Sequence, residues 1–186
     1  SGALTPVNFT ATGTAGVATQ LAFTGQPTNT TAGAAITPAI VVTARDQFGN
    51  TATGYTSQVR VLIGNNPSGG TLSGTDMINA VAGVATFSTL SINNAGTGYT
   101  LIARQGSLTD GVSNAFNITV GSVSAGLSTV SAAPTTITAS SGTSQSTITV
   151  TARDALGNPI SGATVVLAAS GTGNTVTQPA GTTNAS

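Results

Sequence analysis

Two copies of one octapeptide frame this chain: Thr43-Ala44-Arg45-Asp46-Gln47-Phe48-Gly49-Asn50 and Thr151-Ala152-Arg153-Asp154-Ala155-Leu156-Gly157-Asn158. The copies start 108 residues apart, which is close to the length of one small β-sandwich domain. Self-similarity at a fixed period is the sequence signature of an array of similar modules. We therefore expect tandem domains, an organisation that spans distance or displays surfaces.

The composition is almost free of charge. Charged residues make up 4% of the 186 residues, all of them Arg or Asp, against about 25% in average soluble proteins. Lys, Glu, His, Cys and Trp do not occur. The hydrophobic fraction of 39% suffices for a core, and the abundance of Thr, Val and Ile favours strands over long helices. The sequence therefore predicts an all-β protein with a neutral, hydroxyl-rich surface.

The same composition excludes several classes of function. Without His, Cys or Lys, the common arrangements of nucleophile and general base cannot be built. The four Asp lie too far apart in sequence for a calcium loop or an evident carboxylate pair. There is no basic patch for a nucleic acid, and no apolar run approaches the about 18 residues of a membrane span. We expect no enzyme activity, no cofactor, no metal, no nucleic-acid partner and no membrane span in this segment.

The repeated octapeptide has the chemistry of a turn. Asp accepts hydrogen bonds from backbone N–H groups two residues on, Gly adopts positive φ without penalty, and Asn tolerates it. Phe48 and Leu156 are expected to cap the ends of their cores. The predicted structural turns consist of Asp46, Gly49, Asn50, Asp154, Gly157 and Asn158.

Period-two alternation predicts the strands. Residues 40–44 and 148–152 alternate in the same parity, so they are interpreted as one strand in two modules. Further strands are predicted at 59–63, 84–92, 99–103 and 116–120. The Phe residues interpreted as core are Phe9, Phe23, Phe48, Phe87 and Phe116.

The repeat, followed in both directions, divides the chain into three parts. Residues 1–13 resemble the segment that ends in Phe116-Asn117-Ile118, so they are predicted to be the terminal strand of a preceding module or of a neighbouring subunit's module. Residues 14–121 are predicted to form a complete sandwich, the middle module. Residues 122–186 are predicted to be the N-terminal part of a second one, the C-terminal module. Because no initiator Met or signal-peptide pattern is present, we expect an excised or processed piece of a longer protein.

An incomplete C-terminal module leaves two alternatives open. A half sandwich exposes unpaired strand edges and an apolar face. Either the chain continues at both ends, or one copy donates a strand to the C-terminal module of another. The first is favoured, because one strand cannot replace several. The candidate donor residues are Leu4, Val7, Phe9 and Ala11.

The second copy of the motif carries a family resemblance. Residues 154–165, DALGNPISGATV, resemble the bacterial Ig-like module of the invasin/intimin type, and residues 131–137 fit its first strand. The middle module resembles a divergent relative that lacks the Pro within residues 51–55. The resemblance covers most of residues 17–186. It implies tandem Ig-like β-sandwiches, one complete and one or two partial.

The resemblance also implies a place and a role. Such modules occur in surface-exposed bacterial proteins, so we expect an extracellular or cell-surface location. The expected function is a structural component of a fibre, stalk or filament, with copies joined head to tail, laterally or by strand addition. Zero net charge leaves little electrostatic resistance to such self-association. The alternatives are an adhesin or carbohydrate-binding region with a cell-surface or glycan ligand, and a spacer of a secreted multidomain enzyme.

Two further sets of residues are singled out. Tyr99 occupies the place of the corner tyrosine of Ig-like sandwiches, although the plainer interpretation is a core aromatic with its hydroxyl at the rim. Four sequons are candidate glycosylation sites, although a Thr-rich chain supplies such triplets by chance. They begin at Asn8, Asn29, Asn117 and Asn184.

Overall fold

The computed structural model describes Asn8 and residues 10–184, and these residues form strands and turns without any helix. The predicted all-β class is therefore confirmed. The strands of the middle module are β1 (Gln20–Gly25), β2 (Thr30–Thr31), β3 (Ile40–Arg45), β4 (Gln58–Ile63), β5 (Leu72–Ser73), β6 (Met77–Asn79), β7 (Val84–Phe87), β8 (Ser91–Ile92), β9 (Gly96–Tyr99), β10 (Leu101–Arg104), β11 (Gly111–Val112) and β12 (Phe116–Thr119). The C-terminal module contains β13 (Thr129–Ala133) and β14 (Thr147–Thr151).

The middle module is built from small, mostly antiparallel sheets. Their strand orders are β1-β3-β7, β11-β10-β4-β6, β2-β12-β9 and β5-β8, and the pair of β2 and β12 is parallel. The inner faces share one hydrophobic core that runs from Leu21 to Ile118. In β3 the predicted parity holds for Ile40, Val42 and Ala44, which are all buried.

Two of the strands predicted from alternation are each two strands. The prediction at 84–92 corresponds to β7 and β8, which lie in different sheets. The prediction at 99–103 ignores a break at Thr100, where the chain passes from β9, paired with β12, to β10, paired with β4. Both strands of each pair face the same core, so the apolar alternation continues across the change of sheet.

The prediction that every Phe belongs to the core is wrong for Phe48. Its side chain is 79% exposed, so it does not cap the core of the middle module. The physical reason is the turn itself, in which the Phe48 N–H is held by the buried Asp46 carboxylate while the side chain extends outward. Phe9 lies outside the described residues. The Phe residues found in the core are Phe23, Phe87 and Phe116.

In the part of the chain that the structure describes, the C-terminal module has one pair of strands and exposed apolar side chains, whereas the middle module encloses a buried core. β13 and β14 pair over five residues, and no further strand follows β14 within the described residues. Its apolar side chains are accordingly accessible, with Val130 69% and Val166 80% exposed. Of the predicted donor strand, Leu4, Val7 and Phe9 lie outside the described residues, and Ala11 is exposed and belongs to no strand.

Tyr99 is both a core aromatic residue and a tyrosine whose hydroxyl binds the backbone, the two interpretations of its sequence position. The side chain is completely buried, and its ring lies 6.2 Å from that of Phe116 between centroids. Its hydroxyl donates to the carbonyl oxygen of Asn94 at 2.9 Å, five residues upstream. This is the backbone contact of a corner tyrosine, and it fixes the loop that precedes β9.

Tyr99→Phe is expected to lower the free energy of unfolding by about 0.5–1.5 kcal/mol, because the Asn94 carbonyl loses its donor. Urea denaturation followed by circular dichroism measures the change. Tyr55→Phe is the matched control: within the described residues the Tyr55 hydroxyl is buried without a partner, so its removal should cost nothing. Equal losses in the two variants would contradict the role of the Tyr99 hydrogen bond.

Candidate functional site

The best-defined polar site of the chain is the turn at Asp154, where the two modules meet. The Asp154 carboxylate accepts four hydrogen bonds. Oδ1 accepts the N–H groups of Leu156 and Asn158, both at 2.9 Å. Oδ2 accepts the side-chain amide of Asn158 at 2.8 Å and the N–H of Gly121 at 3.0 Å. Gly157 has a φ of 84°, which requires glycine at this point of the turn.

The turn at Asp46 repeats this arrangement. The Asp46 carboxylate accepts the N–H groups of Phe48 and Asn50 at 2.9 Å, the Asn50 amide at 3.2 Å and the N–H of Gly16 at 2.9 Å. Gly49 has a φ of 85°. The structure thus places the predicted turn residues in equivalent positions of both modules.

The contact of each Asp with the preceding linker was missed from the sequence. Gly16 and Gly121 lie in the segments that lead into the first strand of each module, 30 and 33 residues before the carboxylates that bind them. A signal was present: both glycines end a Thr-x-Gly triplet, Thr14-Ala15-Gly16 and Thr119-Val120-Gly121. Without a contact map, nothing in such a short triplet indicates which residue it binds.

Both carboxylates are 2% exposed and both have a lowered pKa. For Asp46, the largest influence on the pKa is the hydrogen bond from Gly16, which favours the ionised form. For Asp154, burial raises the pKa, but the bonds from Gly121, Asn158 and Leu156 together outweigh it. Both groups are therefore anionic at neutral pH, and backbone and amide donors stabilise the charge.

Asn158 connects this turn to the middle module. Its Nδ2 donates to the carbonyl oxygen of Asn93 at 3.0 Å as well as to Asp154, and its Oδ1 accepts the N–H of Ala95 at 3.0 Å. Both amide protons and the amide oxygen are thus used, and the residue is buried. The receiving loop is the one whose Asn94 carbonyl is held by Tyr99. Asn158 therefore ties two modules together through groups that are already ordered.

Leu156 makes the apolar part of the same junction. A Cβ placed on Gly33 would come 2.8 Å from Leu156 Cδ1, so the absence of a side chain at Gly33 lets Leu156 approach. Beside it lies a cavity of about 290 Å³, whose lining includes Ala32, Val123 and Asp154. Asp154 is the ionisable group of this lining, and its oxygens are engaged in the turn. We call the end of the middle module that carries Gly33 and Asn93–Ala95 its far end.

The remaining charged residues do not assemble into a reactive cluster. Arg60 pairs with Asp76 at 3.1 Å and Arg104 with Asp110 at 2.8 Å, on partly exposed surface, where such pairs contribute under about 1 kcal/mol. In residues 8 and 10–184 no group of three His, Cys, Asp or Glu could hold a metal ion. A search of the same residues for a helix long and apolar enough to cross a membrane finds none.

The sequon asparagines differ in accessibility. Asn8 and Asn184 are exposed. Asn29 is exposed too, although its Oδ1 accepts the Asn117 N–H at 2.7 Å, and Asn117 is half-buried with its Oδ1 bound to the Gly98 N–H. Glycosylation at these residues stays a prediction.

Asp154→Asn is expected to destabilise the chain by about 1.5–3 kcal/mol at neutral pH, as is typical when a hydrogen bond to a charged group is lost. Because the folded pKa of Asp154 lies below the ordinary value of 3.8, the unfolded chain takes up protons first on acidification. The stabilisation is therefore complete above about pH 5 and disappears as the pH falls below about 4. Thermal unfolding between about pH 2.5 and 7 measures it.

The acid sensitivity should be smaller in Asp154→Asn than in the parent chain. Asp76→Asn serves as the control, because Asp76 is in a surface pair with Arg60 and its replacement should cost little. Identical pH profiles for the parent and Asp154→Asn would contradict the assigned role of this carboxylate.

Comparison with known proteins identifies the C-terminal module. Residues 124–186 match the family Invasin, domain 3, which confirms the resemblance predicted there. The chain is also similar to the crystal structure of invasin, a bacterial integrin-binding protein, with 24% identity and a TM-score of 0.37. That match covers 78% of this chain and 28% of the invasin chain. None of the curated protein sequences matches significantly.

Proposed function

We propose that this chain, which carries a bacterial Ig-like module of the invasin/intimin type at residues 124–186, is a structural segment of an extracellular fibre or stalk. The observation that supports this function best is the junction at Asp154 and Asn158. Directional bonds from both modules hold this junction. Repetition of a held junction converts compact modules into length.

The linker between the modules is held at three positions, Gly121, Val123 and Ser124. The Gly121 N–H donates to Asp154, Val123 bridges to Asp154, and the Ser124 N–H donates to the Arg153 carbonyl at 2.7 Å. Gly- and Ser-rich linkers that are free in solution behave as flexible coils. Here the bonds remove that freedom, so the linker acts as part of the C-terminal module.

The surface suits an assembly of neighbouring copies outside the cell. With zero net charge and 4% charged residues, copies of the chain repel one another weakly. The partners we propose are therefore other modules of the same kind, in series and side by side. We propose an extracellular or cell-surface location, which the similarity of the C-terminal module to Invasin, domain 3, supports.

An adhesin is the second candidate, favoured by the match to an invasin domain. A glycan-binding version of it would need a platform of exposed aromatic rings. Within the described residues, Phe48 is the exposed aromatic side chain, while Tyr55 is half-buried and Tyr99 fully buried. A single ring does not make such a platform, and the observations favour the structural role.

A cavity in the C-terminal module is a candidate acceptor for strand addition between copies. It has a volume of about 170 Å³ and is lined by apolar residues that include Ile148, Val150, Val165 and Leu167.

Sedimentation of the full chain and of a chain without residues 1–13 separates the alternatives. Strand addition requires association with rising concentration in the first and not in the second, whereas a tandem array without it leaves both monomeric.

Asn158→Ala is expected to release the fixed orientation of the two modules, because it removes the bonds to Asn93 and Ala95 at once. Residual dipolar couplings of the full chain measure the effect. In the parent, the couplings of both modules should fit one alignment tensor, and in Asn158→Ala they should require two. Small-angle X-ray scattering should show a broader distribution of shapes.

Asn50→Ala is the matched control for this experiment. Asn50 holds the equivalent place in the middle module, and within the described residues its side-chain amide bonds to Asp46 alone. Its replacement should leave the single tensor intact. Two independent tensors in the parent chain would reject the proposal of a stiff stalk.

A further inference from the structure

The two copies of the turn differ in what surrounds them: among the described residues, the middle module contacts the turn at Asp154 and no other module contacts the turn at Asp46. Asn158 is 8% exposed and bonded across the junction, whereas its counterpart Asn50 is exposed. Leu156 is 50% exposed beside Gly33, whereas its counterpart Phe48 is 79% exposed. Phe48 is thus an exposed aromatic side chain on a turn whose backbone is already held by the Asp46 carboxylate.

The chain approaches the two turns through equivalent first contacts, although the segment from Gly121 to Asp154 is three residues longer than the one from Gly16 to Asp46, 33 against 30. Gly16 bonds to Asp46 as Gly121 bonds to Asp154. Three residues later, the Thr19 N–H donates to the Arg45 carbonyl at 2.8 Å, as the Ser124 N–H does to that of Arg153. A module attached on the N-terminal side of Gly16 would therefore have its far end over Phe48 and Asn50.

The occupied junction shows what such a module must offer. The Asn side chain needs a backbone carbonyl and a backbone N–H two residues apart, as supplied by Asn93 and Ala95. The apolar side chain at the position of Leu156 needs a glycine opposite it, such as Gly33, because a Cβ there would clash. The far end of another module of this kind carries both features, which a flat or charged surface lacks.

We propose that Phe48 and Asn50 form a docking surface for the far end of another Ig-like module, joined to this chain through Gly16. The inference rests on the proposed function, since it assumes that modules stack in series. It adds the residues of the second junction and the features of the partner that they bind. The preformed turn means that docking does not have to order the backbone of this surface.

The test uses a tandem chain in which residues 1–120 are joined to residues 16–186. This join places Gly16 of the second middle module where Gly121 follows Val120 in the native chain. The protein has no Trp, so a single introduced indole is an unambiguous fluorescent reporter. Three chains are compared: the native-length chain with Phe48→Trp, the native-length chain with Leu156→Trp, and the tandem chain with Phe48→Trp in its second middle module.

In the native-length Phe48→Trp chain, the indole should emit at long wavelength and be readily quenched by acrylamide. In the tandem Phe48→Trp chain its emission should shift to shorter wavelength, and its quenching constant should fall towards that of Leu156→Trp. The expected decrease follows the exposed fractions of the two native side chains, 79% and 50%. Adding Asn50→Ala to the tandem chain should restore much of the quenching, because the polar half of the junction is then missing.

The outcomes separate the inference from the function on which it rests. In one outcome the Leu156→Trp indole is protected, but the Phe48→Trp indole is as accessible in the tandem chain as in the native-length chain. This result refutes the docking surface and leaves the junction at Asp154 supported. Protection that persists in the Asn50→Ala tandem chain also refutes the docking surface, as burial without the specific contact. If the Leu156→Trp indole is itself fully accessible, the proposed function fails together with the inference.

Discussion

The organisation of this chain depends on a buried carboxylate that occurs once per module. Asp46 directly follows β3, which ends at Arg45, and Asp154 lies three residues after β14 ends at Thr151; both Asp residues are 2% exposed. A buried charge is costly unless its oxygens are fully hydrogen-bonded, and here four N–H donors surround each carboxylate. The donors come from the turn and from the linker. The end of the strand, the shape of the turn and the entry of the chain are consequently fixed by one group.

Because the Asp carboxylate holds the turn within its own module, the turn does not need a neighbouring module in order to form. At Asp46 all four bonds are present although Asn50 and Phe48 extend into solvent. The turn therefore forms without a neighbouring module, and the residues proposed to contact one are held in place beforehand. Asn158 links the turn to the other module, because its side-chain amide donates both to the Asp154 carboxylate and to the Asn93 carbonyl of the middle module. Asn158 therefore contributes both to the stability of the C-terminal module and to its orientation relative to the middle module.

How far the sequence predicts this arrangement depends on the range of the contacts. The turn chemistry of Asp, Gly and Asn is local, within five residues, and the alternation of β3 is visible because one face is buried. The bonds from Gly16 and Gly121 span 30 and 33 residues, and no local pattern encodes them. Phe48 was mistaken for core because hydrophobicity alone does not distinguish a buried position from an exposed one. The change of sheet at Thr100 was hidden because both strands face one core.

A junction of this kind also explains how a chain with so few charges can specify its neighbours. Complementary charge patches would weaken with salt, whereas the contacts of Asn158 with Asn93 and Ala95 are between neutral groups and depend on geometry. The ionised groups involved are the Asp carboxylates, which are buried and saturated by donors within the chain. Because these contacts are neutral, salt should affect the orientation of the modules little, whereas protonation of Asp154 in acid should weaken the turn that carries Asn158.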